Sequence, residues 1–323
     1  MPHAIRVHKP GPPEVLIWED VEVGEPGPGQ VRVRQHAAGL NFIDIYHRSG
    51  LYVLPLPFTP GVEGAGVVES VGEGVDYVKA GDRVTYAGPI GGYAEVRLID
   101  VDRLVKLPAA IDFEQAAAMM LHGMTARMLL RSVYPVAAGD TILIHAAAGG
   151  VGLIMCQWAA ALGATVIGTV STEEKAELVR EHGCQHPIVY TQQDFVAEVE
   201  RITDGAKLPV VYDSVGRDTF MKSLDCLQPR GLMVTFGQSS GPVPPFSATV
   251  LAQKGSLYLT RPTLYNYTQA RGQLEQSAAE LFEVVSSGEV RVEVKQRFPL
   301  ERAADAHRAL EARATSGSTI LTA

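Results

Sequence analysis

Between residues 1 and 107 the chain alternates apolar and polar positions in short runs separated by turns. Residues 1–11, 31–36, 65–71 and 92–98 each step with period two, and 81–86 reads as a turn leading into a strand. Successive side chains of a strand face opposite sides, so this pattern predicts half-buried strands. Many short strands broken by Gly, Pro and Asp predict a compact antiparallel barrel. The texture changes after Pro108. Asp112, followed by an alanine-rich stretch to Met120, predicts a capped helix.

From Asp140 onward, wholly apolar runs alternate with amphipathic ones. Strands are expected at 141–145, 165–170, 187–190, 209–212, 231–236 and 256–260. Helices are expected at 151–161, 173–182, 195–202 and 218–227. Strands apolar on both faces, alternating with helices, predict a buried parallel sheet. The tail predicts a helix over 273–287, an alternating strand over 290–295 and a helix over 300–314. Its element types point back to the first domain. The fold class is therefore α/β, a barrel domain joined to a doubly wound parallel sheet.

Composition narrows the class. Hydrophobic residues make up 46% of the chain and charged residues 20%, a globular balance. A length of 323 residues is enough for about two domains. The net charge of −8 speaks against nucleic acid as a partner, which would need a basic face. The longest small or apolar run, 146–156, falls short of the roughly 20 residues a membrane span needs, and no signal-like segment opens the chain. Cys156, Cys184 and Cys226 are scattered and form no CxxC pair. Disulfides and a structural zinc are not expected, and a reducing, cytoplasmic setting is.

The sharpest local signal is His145-Ala-Ala-Ala-Gly-Gly-Val-Gly152, where an apolar strand runs through glycines into a helix. This is the context of a dinucleotide-binding turn. Gly149 and Gly150 let the backbone approach a pyrophosphate, whose charge faces the helix amides at Val151. Gly152 permits close helix–strand packing. Ala147 stands where the first glycine of GxGxxG is usual.

A carboxylate at the tip of the second strand would bind an adenosine ribose. None stands at Thr169-Val170-Ser171-Thr172, and Glu173 and Glu174 open a helix. Ser171 and Lys175 suit a 2′-phosphate instead, which favours NADPH. As an alternative, Lys175 is a solvated helix lysine.

The chain resembles the medium-chain dehydrogenase/reductase superfamily over essentially its whole length. The matching stretches are 41–52, Pro60-Gly-Val-Glu-Gly-Ala-Gly66, Ala80-Gly-Asp-Arg-Val84, 145–152, Val211-Tyr-Asp-Ser-Val-Gly216 and 231–237. Zinc-dependent members carry a Cys and a His where this chain has Asn41 and Val62, and there is no cysteine before Cys156. Neither zinc site has its usual ligands. His47 and Glu63 read as a loop histidine and a turn glutamate. The Asn41-Phe-Ile-Asp44 segment, with Tyr212–Asp218 and Ser223–Leu227, resembles the quinone oxidoreductase family, particularly its bacterial branch.

That resemblance implies metal-independent reduction of a small-molecule quinone by NADPH. It also implies a homodimer, with the apolar edge at 256–260 paired to its copy. Implied domains are a GroES-like catalytic domain over 1–123 and 262–323 and a Rossmann NADPH domain over 124–261. A quinone spreads the incoming charge over its own ring, so loss of a Lewis acid is chemically coherent.

The resemblance places Asn41, Tyr46 and Tyr52 at the reacting ring, with Asp44 read as structural. It assigns cofactor contacts to Asn41, Thr125, Gly149, Gly150, Val151, Gly152, Ser171, Lys175, Tyr190, Ser214, Phe236, Gly237, Arg261 and Arg313. Thr125 is expected near the start of a domain-crossing helix. Met124 and Ala126 replace bulkier family residues. Two other functions stay open: reduction of an enone or alkenal double bond, and non-catalytic, crystallin-like NADPH binding.

Overall fold

The computed structural model describes residues 1–323. The chain divides into two compact units. One comprises Met1–Met124, Thr268–Ser286 and Val292–Ala323, and the other Thr125–Tyr267 and Ser287–Arg291. The boundary falls inside the helix Phe113–Arg127, which starts beyond Asp112. The Asp112 Oδ1 accepts the Gln115 N–H at 2.7 Å, as an N-cap should.

The first unit is built on a seven-stranded sheet. Its path runs Val294–Pro299, Ser318–Thr322, Gln30–Gly39, Glu63–Val71, Arg83–Ala87, Val105–Lys106, with Val96–Asp100 also paired to Gln30–Gly39. All pairings are antiparallel except that of Val294–Pro299 with Ser318–Thr322. The period-two pattern has its expected meaning. Val31, Val33, Gln35 and Ala37 are buried, while Arg34 and His36 face solvent. Two apolar clusters result. One gathers Val31, Val33, Val68, Val84 and Leu104, and the other Ile5, Val7, Phe58, Tyr93, Leu300 and Leu321.

Three expectations shift in this unit. The strand expected over 92–98 begins at Val96, because residues 93 and 95 bond instead to the N-terminal strand (Ile5 N–H to Tyr93 O, Glu95 N–H to His3 O). The tail strand is Val294–Pro299, not 290–295, because its partner is Ser318–Thr322, a strand the pattern did not reveal. Residues 300–314 form a 3-10 turn, Leu300–Arg302, then the helix Ala303–Glu311.

The second unit holds a six-stranded, wholly parallel sheet. Its order is His186–Val189, Thr165–Val170, Thr141–Ile144, Leu208–Asp213, Leu227–Thr235, Tyr258–Thr260. The strand order reverses between Thr141–Ile144 and Leu208–Asp213, and open α/β sheets bind ligands outside the carboxyl ends at such a reversal. Strands buried on both faces explain the unbroken apolar runs. Leu143, Ile167, Val211, Phe220 and Met233 share one core cluster. The single helix expected over 218–227 is instead a short helix, Phe220–Ser223, followed by a 3-10 turn, Leu224–Cys226. No helix is long and apolar enough to cross a membrane.

Candidate active site

The second unit aligns its candidate residues on one edge of the parallel sheet. Ser171, Tyr190, Ser214, Phe236 and Arg261 are each the first residue beyond the carboxyl end of a strand, and the glycine-rich turn follows Thr141–Ile144. Parallel pairing brings all these tips to the same side, although up to 90 residues separate them in sequence.

The glycine turn is tightly built. Ala146 carries a left-handed φ of 53°, unusual for a residue with a Cβ. The turn thus takes its special backbone angle one residue before Ala147. Gly149 is extended at the N-cap of the helix Gly150–Ala161, and no side chain caps that helix. The first-turn amides therefore remain available to an anion. A Cβ at Gly152 would lie 2.5 Å from Ala147 O and 2.6 Å from Ala146 O, both backbone atoms. Only glycine lets the helix sit this close to the turn.

Next to it, Ser171 leaves the tip of Thr165–Val170, and Thr172 caps the helix Glu173–Glu181 by accepting the Lys175 N–H at 3.3 Å. No carboxylate stands at the tip itself. Tyr190 N–H donates to Val170 O (3.0 Å), and Thr191 Oγ1 to Ser171 O (3.0 Å). Ser171, Lys175 and Tyr190 therefore belong to one corner.

On the other side of the reversal, Phe236 N–H donates to Asp213 O (2.8 Å), and Ser239 N–H to Ser214 O (3.1 Å). A Cβ at Gly237 would lie 2.6 Å from Ser214 O. Arg261 donates to Thr235 Oγ1, Gly237 O and Gln238 Oε1 at 3.2–3.3 Å. Beneath this row, buried Asp213 accepts Val215 N–H, Gly216 N–H and Thr219 Oγ1–H at 2.7–3.0 Å. His145 is buried too. Its Nδ1 meets Thr169 Oγ1 and its Nε2 meets Ser223 Oγ, both at 2.9 Å, and burial holds its pKa below the usual value. Ser223 Oγ donates to Thr219 O, so it accepts from Nε2–H. His145 thus ties the strand Thr165–Val170 to the helix Phe220–Ser223.

In the first unit, Asn41 caps the helix Phe42–Ser49, which ends at Gly50 with a left-handed φ of 81°. That reversal brings Tyr52 back over the helix. Tyr52 N–H donates to Tyr46 O (3.0 Å), and the two half-buried rings meet edge-on, 5.3 Å apart. Tyr46 and Tyr52 thus form one group, with Asn41 at the start of the same helix.

Beside Asn41 lies a buried polar network that the sequence reading underrated. Glu63 is not in a turn. It opens a strand, is fully buried, and takes the Asn41 Nδ2–H and the Leu121 N–H on its two oxygens, each at 2.7 Å. Asp44 Oδ2 accepts Asn41 N–H and Tyr93 Oη–H, each at 2.9 Å. His307 Nε2 lies 3.3 Å from Tyr93 Oη, and its Nδ1 accepts from Arg48, which is paired to Glu311 at 2.7 Å. Asn41 N–H and Tyr93 Oη–H thus donate to Asp44, while Arg48 divides its donors among His307, Glu311 and Gly11 O. Burial raises Asp44 to about 7 and Glu63 to about 8, and lowers His307 to about 3. The one local hint in the sequence was Asn41 with Asp44 three residues on, a capping-box spacing. Glu63, Tyr93 and His307 carry no such signal.

Two candidates stand apart. Thr125 lies in the last turn of Phe113–Arg127, not near a helix start, because the helix begins in the first unit. Arg313 belongs to the first unit, exposed just past the helix Ala303–Glu311 with a φ of 56°.

Comparison with known proteins gives a consistent picture. A family model described as "Alcohol dehydrogenase GroES-like domain" matches residues 27–109, and one described as "Zinc-binding dehydrogenase" matches 150–283. The chain is 55% identical over 313 residues to a quinone oxidoreductase of Pseudomonas aeruginosa, covering 96% of each. It is 48% identical over 323 residues to a 2-haloacrylate reductase of a Burkholderia species, covering 98% of this chain and 97% of that protein. Among solved structures, Escherichia coli quinone oxidoreductase complexed with NADPH superposes with a TM-score of 0.98. It is 50% identical and covers 99% of this chain and 100% of that one.

Proposed function

The chain belongs to the quinone oxidoreductases, a zinc-independent branch of the medium-chain dehydrogenase/reductase superfamily, and from this we propose how its own residues serve NADPH-dependent quinone reduction. The row of strand-tip residues around the uncapped glycine turn carries the reading. It offers backbone amides to a pyrophosphate, and its second tip lacks the carboxylate that would repel a 2′-phosphate. Ser171 and Lys175 hold that phosphate, and Tyr190, 40% exposed, covers the adenine.

Bound NADPH supplies the hydride. Everything else falls to the protein. Ser214, Phe236, Gly237 and Arg261 line the far side of the strand-order reversal. Thr125 and Arg313 are further cofactor contacts by family resemblance. Tyr46 and Tyr52 present flat faces and hydroxyls to a planar acceptor, stacking on it and donating hydrogen bonds to its oxygens. Asn41 orients cofactor or acceptor. The unit that contains Asn41 is the catalytic domain, and the parallel-sheet unit the NADPH domain.

The protein acts as a homodimer. The outermost strand, Tyr258–Thr260, leaves Tyr258 61% and Leu259 38% exposed. An open depression of about 520 Å³ runs along this edge between Tyr134, Arg230 and Leu232. Pairing with a second copy would cover an edge that otherwise invites association. Three free, buried cysteines suit a reducing cytoplasm.

A direct test follows NADPH absorbance in the presence of benzoquinone and naphthoquinone, with and without chelator. Turnover unaffected by chelator is expected. Absence of any quinone-dependent oxidation overturns the function. A second reading, reduction of electron-poor carbon–carbon double bonds, is favoured by the likeness to a 2-haloacrylate reductase. An enal or haloacrylate outrunning every quinone under the same conditions would establish it.

A further inference from the structure

The Asn41–Glu63 contact fixes more than a side-chain position. An amide presents a donor on one side and an acceptor on the other. Glu63 uses both oxygens as acceptors, one for Leu121 N–H in the middle of a helix and one for Asn41 Nδ2–H. With Glu63 ionised, a flipped Asn41 would set oxygen against oxygen. The amide atom of Asn41 left over is therefore its carbonyl Oδ1. That oxygen is buried and has no protein hydrogen-bond partner, since the nearest capping donor, Asp44 N–H, goes to the Asn41 backbone carbonyl at 3.0 Å. The niche for Glu63 is purpose-shaped. A Cβ at Gly39 would strike both Glu63 Oε1 and Ala117 O.

Building on the quinone-reductase reading, we propose that ionised Glu63 is a positioning residue: it clamps the Asn41 amide so that the site is offered an acceptor and not a donor, which selects a ligand hydroxyl. That hydroxyl belongs to the cofactor ribose or to the hydroquinone as it forms.

Exchange of the pair tests this. In Glu63→Gln, the amide oxygen of the introduced side chain must keep the Leu121 N–H, so its NH2 faces Asn41 and forces the Asn41 amide to turn its own NH2 outward. At about pH 9, where Glu63, raised to about 8 by burial, is ionised, the variant should lose about tenfold or more in kcat/KM, in line with an unsatisfied buried polar group. In the double variant, which combines Asn41→Asp with Glu63→Gln, the introduced glutamine donates to one oxygen of the introduced carboxylate, and the other oxygen again faces outward as an acceptor. Activity should recover to within a few fold of wild type, a coupling that a double-mutant cycle isolates.

A weaker NADPH Kd in Glu63→Gln assigns the hydroxyl to the ribose. An unchanged Kd with a lower kcat assigns it to the hydroquinone. Glu63→Gln activity within twofold of wild type overturns the proposal. So does a double variant no better than the worse single one, or a folding defect in Glu63→Gln that the exchange does not repair. Nuclear magnetic resonance of the Asn41 side-chain amide gives a readout without turnover. One Nδ2 proton should exchange slowly in wild type and both quickly in Glu63→Gln, and equal rates in the two proteins would count against the clamp. Wild-type protein that binds NADPH but reduces no quinone would overturn the function while leaving this measurement decisive.

Discussion

The two units bury different material. Around the parallel sheet, the only charged side chain below the surface is Asp213, and the interior is otherwise largely Val, Ile, Leu, Met and Phe. The first unit buries Asp44, Arg48, Glu63 and Arg97, together with Asn41, Gln35 and His307. The sheet unit builds its site from backbone, with strand ends, helix amides and glycines set by fold geometry. The first unit builds its site from side chains that hold one another in place. A backbone site tolerates few changes in chain geometry but many in side chains. A side-chain site inverts that sensitivity, because an orphaned buried partner is costly.

The sharpest test is Gly152→Val. The new side chain must displace backbone carbonyls, at about 1–3 kcal/mol for overpacking, and the helix amides move with it. NADPH affinity by fluorescence titration should fall by about 100-fold, near the upper end of that range. Affinity within twofold of wild type would mean that the turn does not carry the cofactor. Next in size is Lys175→Ala, which would remove the proposed charge-assisted contact to the 2′-phosphate, worth about 1.5–3 kcal/mol. NADPH should bind at least about tenfold more weakly while NADH changes by less than about twofold. Equal losses would place the 2′-phosphate elsewhere.

The smallest effect belongs to the buried titratable groups. Asp44 and Glu63 keep protons in the folded state that they release when unfolded, so their contribution to stability falls as pH rises from about 4 to about 8. His122, lowered to about 4 by burial, and His307 act in the opposite sense, gaining stability as pH rises toward 6.5. The two effects oppose each other up to that point. Between about pH 6.5 and 8.5 only the carboxyls remain, and the thermal midpoint should drop by several degrees. Asp44→Asn should flatten that slope. A midpoint constant over this range would show that the first unit is no more titratable than the second.

The same contrast explains what the sequence made legible. The glycine turn, the apolar strands and the residue after each strand are local patterns, so Gly149–Gly152, Ser171 and Tyr190 could be picked out by position in a strand–helix unit. Glu63, Tyr93 and His307 meet only after residues far apart in sequence are folded together; the stretch Pro60–Gly66 drew notice to Glu63, but nothing local showed its partners. Ser318–Thr322 escaped for a related reason. Its strand character rests on pairing with Gln30–Gly39 and Val294–Pro299, not on its own alternation.

His307, Glu311 and the Ser318–Thr322 strand also bear on the order of synthesis. The network around Asn41 waits for residue 307, and the central strand Gln30–Gly39 waits for a neighbour near the end of the chain. The parallel-sheet unit is nearly continuous, from Thr125 to Tyr267. On the ribosome it can therefore fold while the first unit is still open. The part made first is finished last, and until then the carboxylates of Asp44 and Glu63 remain in water, ionised and without the partners that later enclose them.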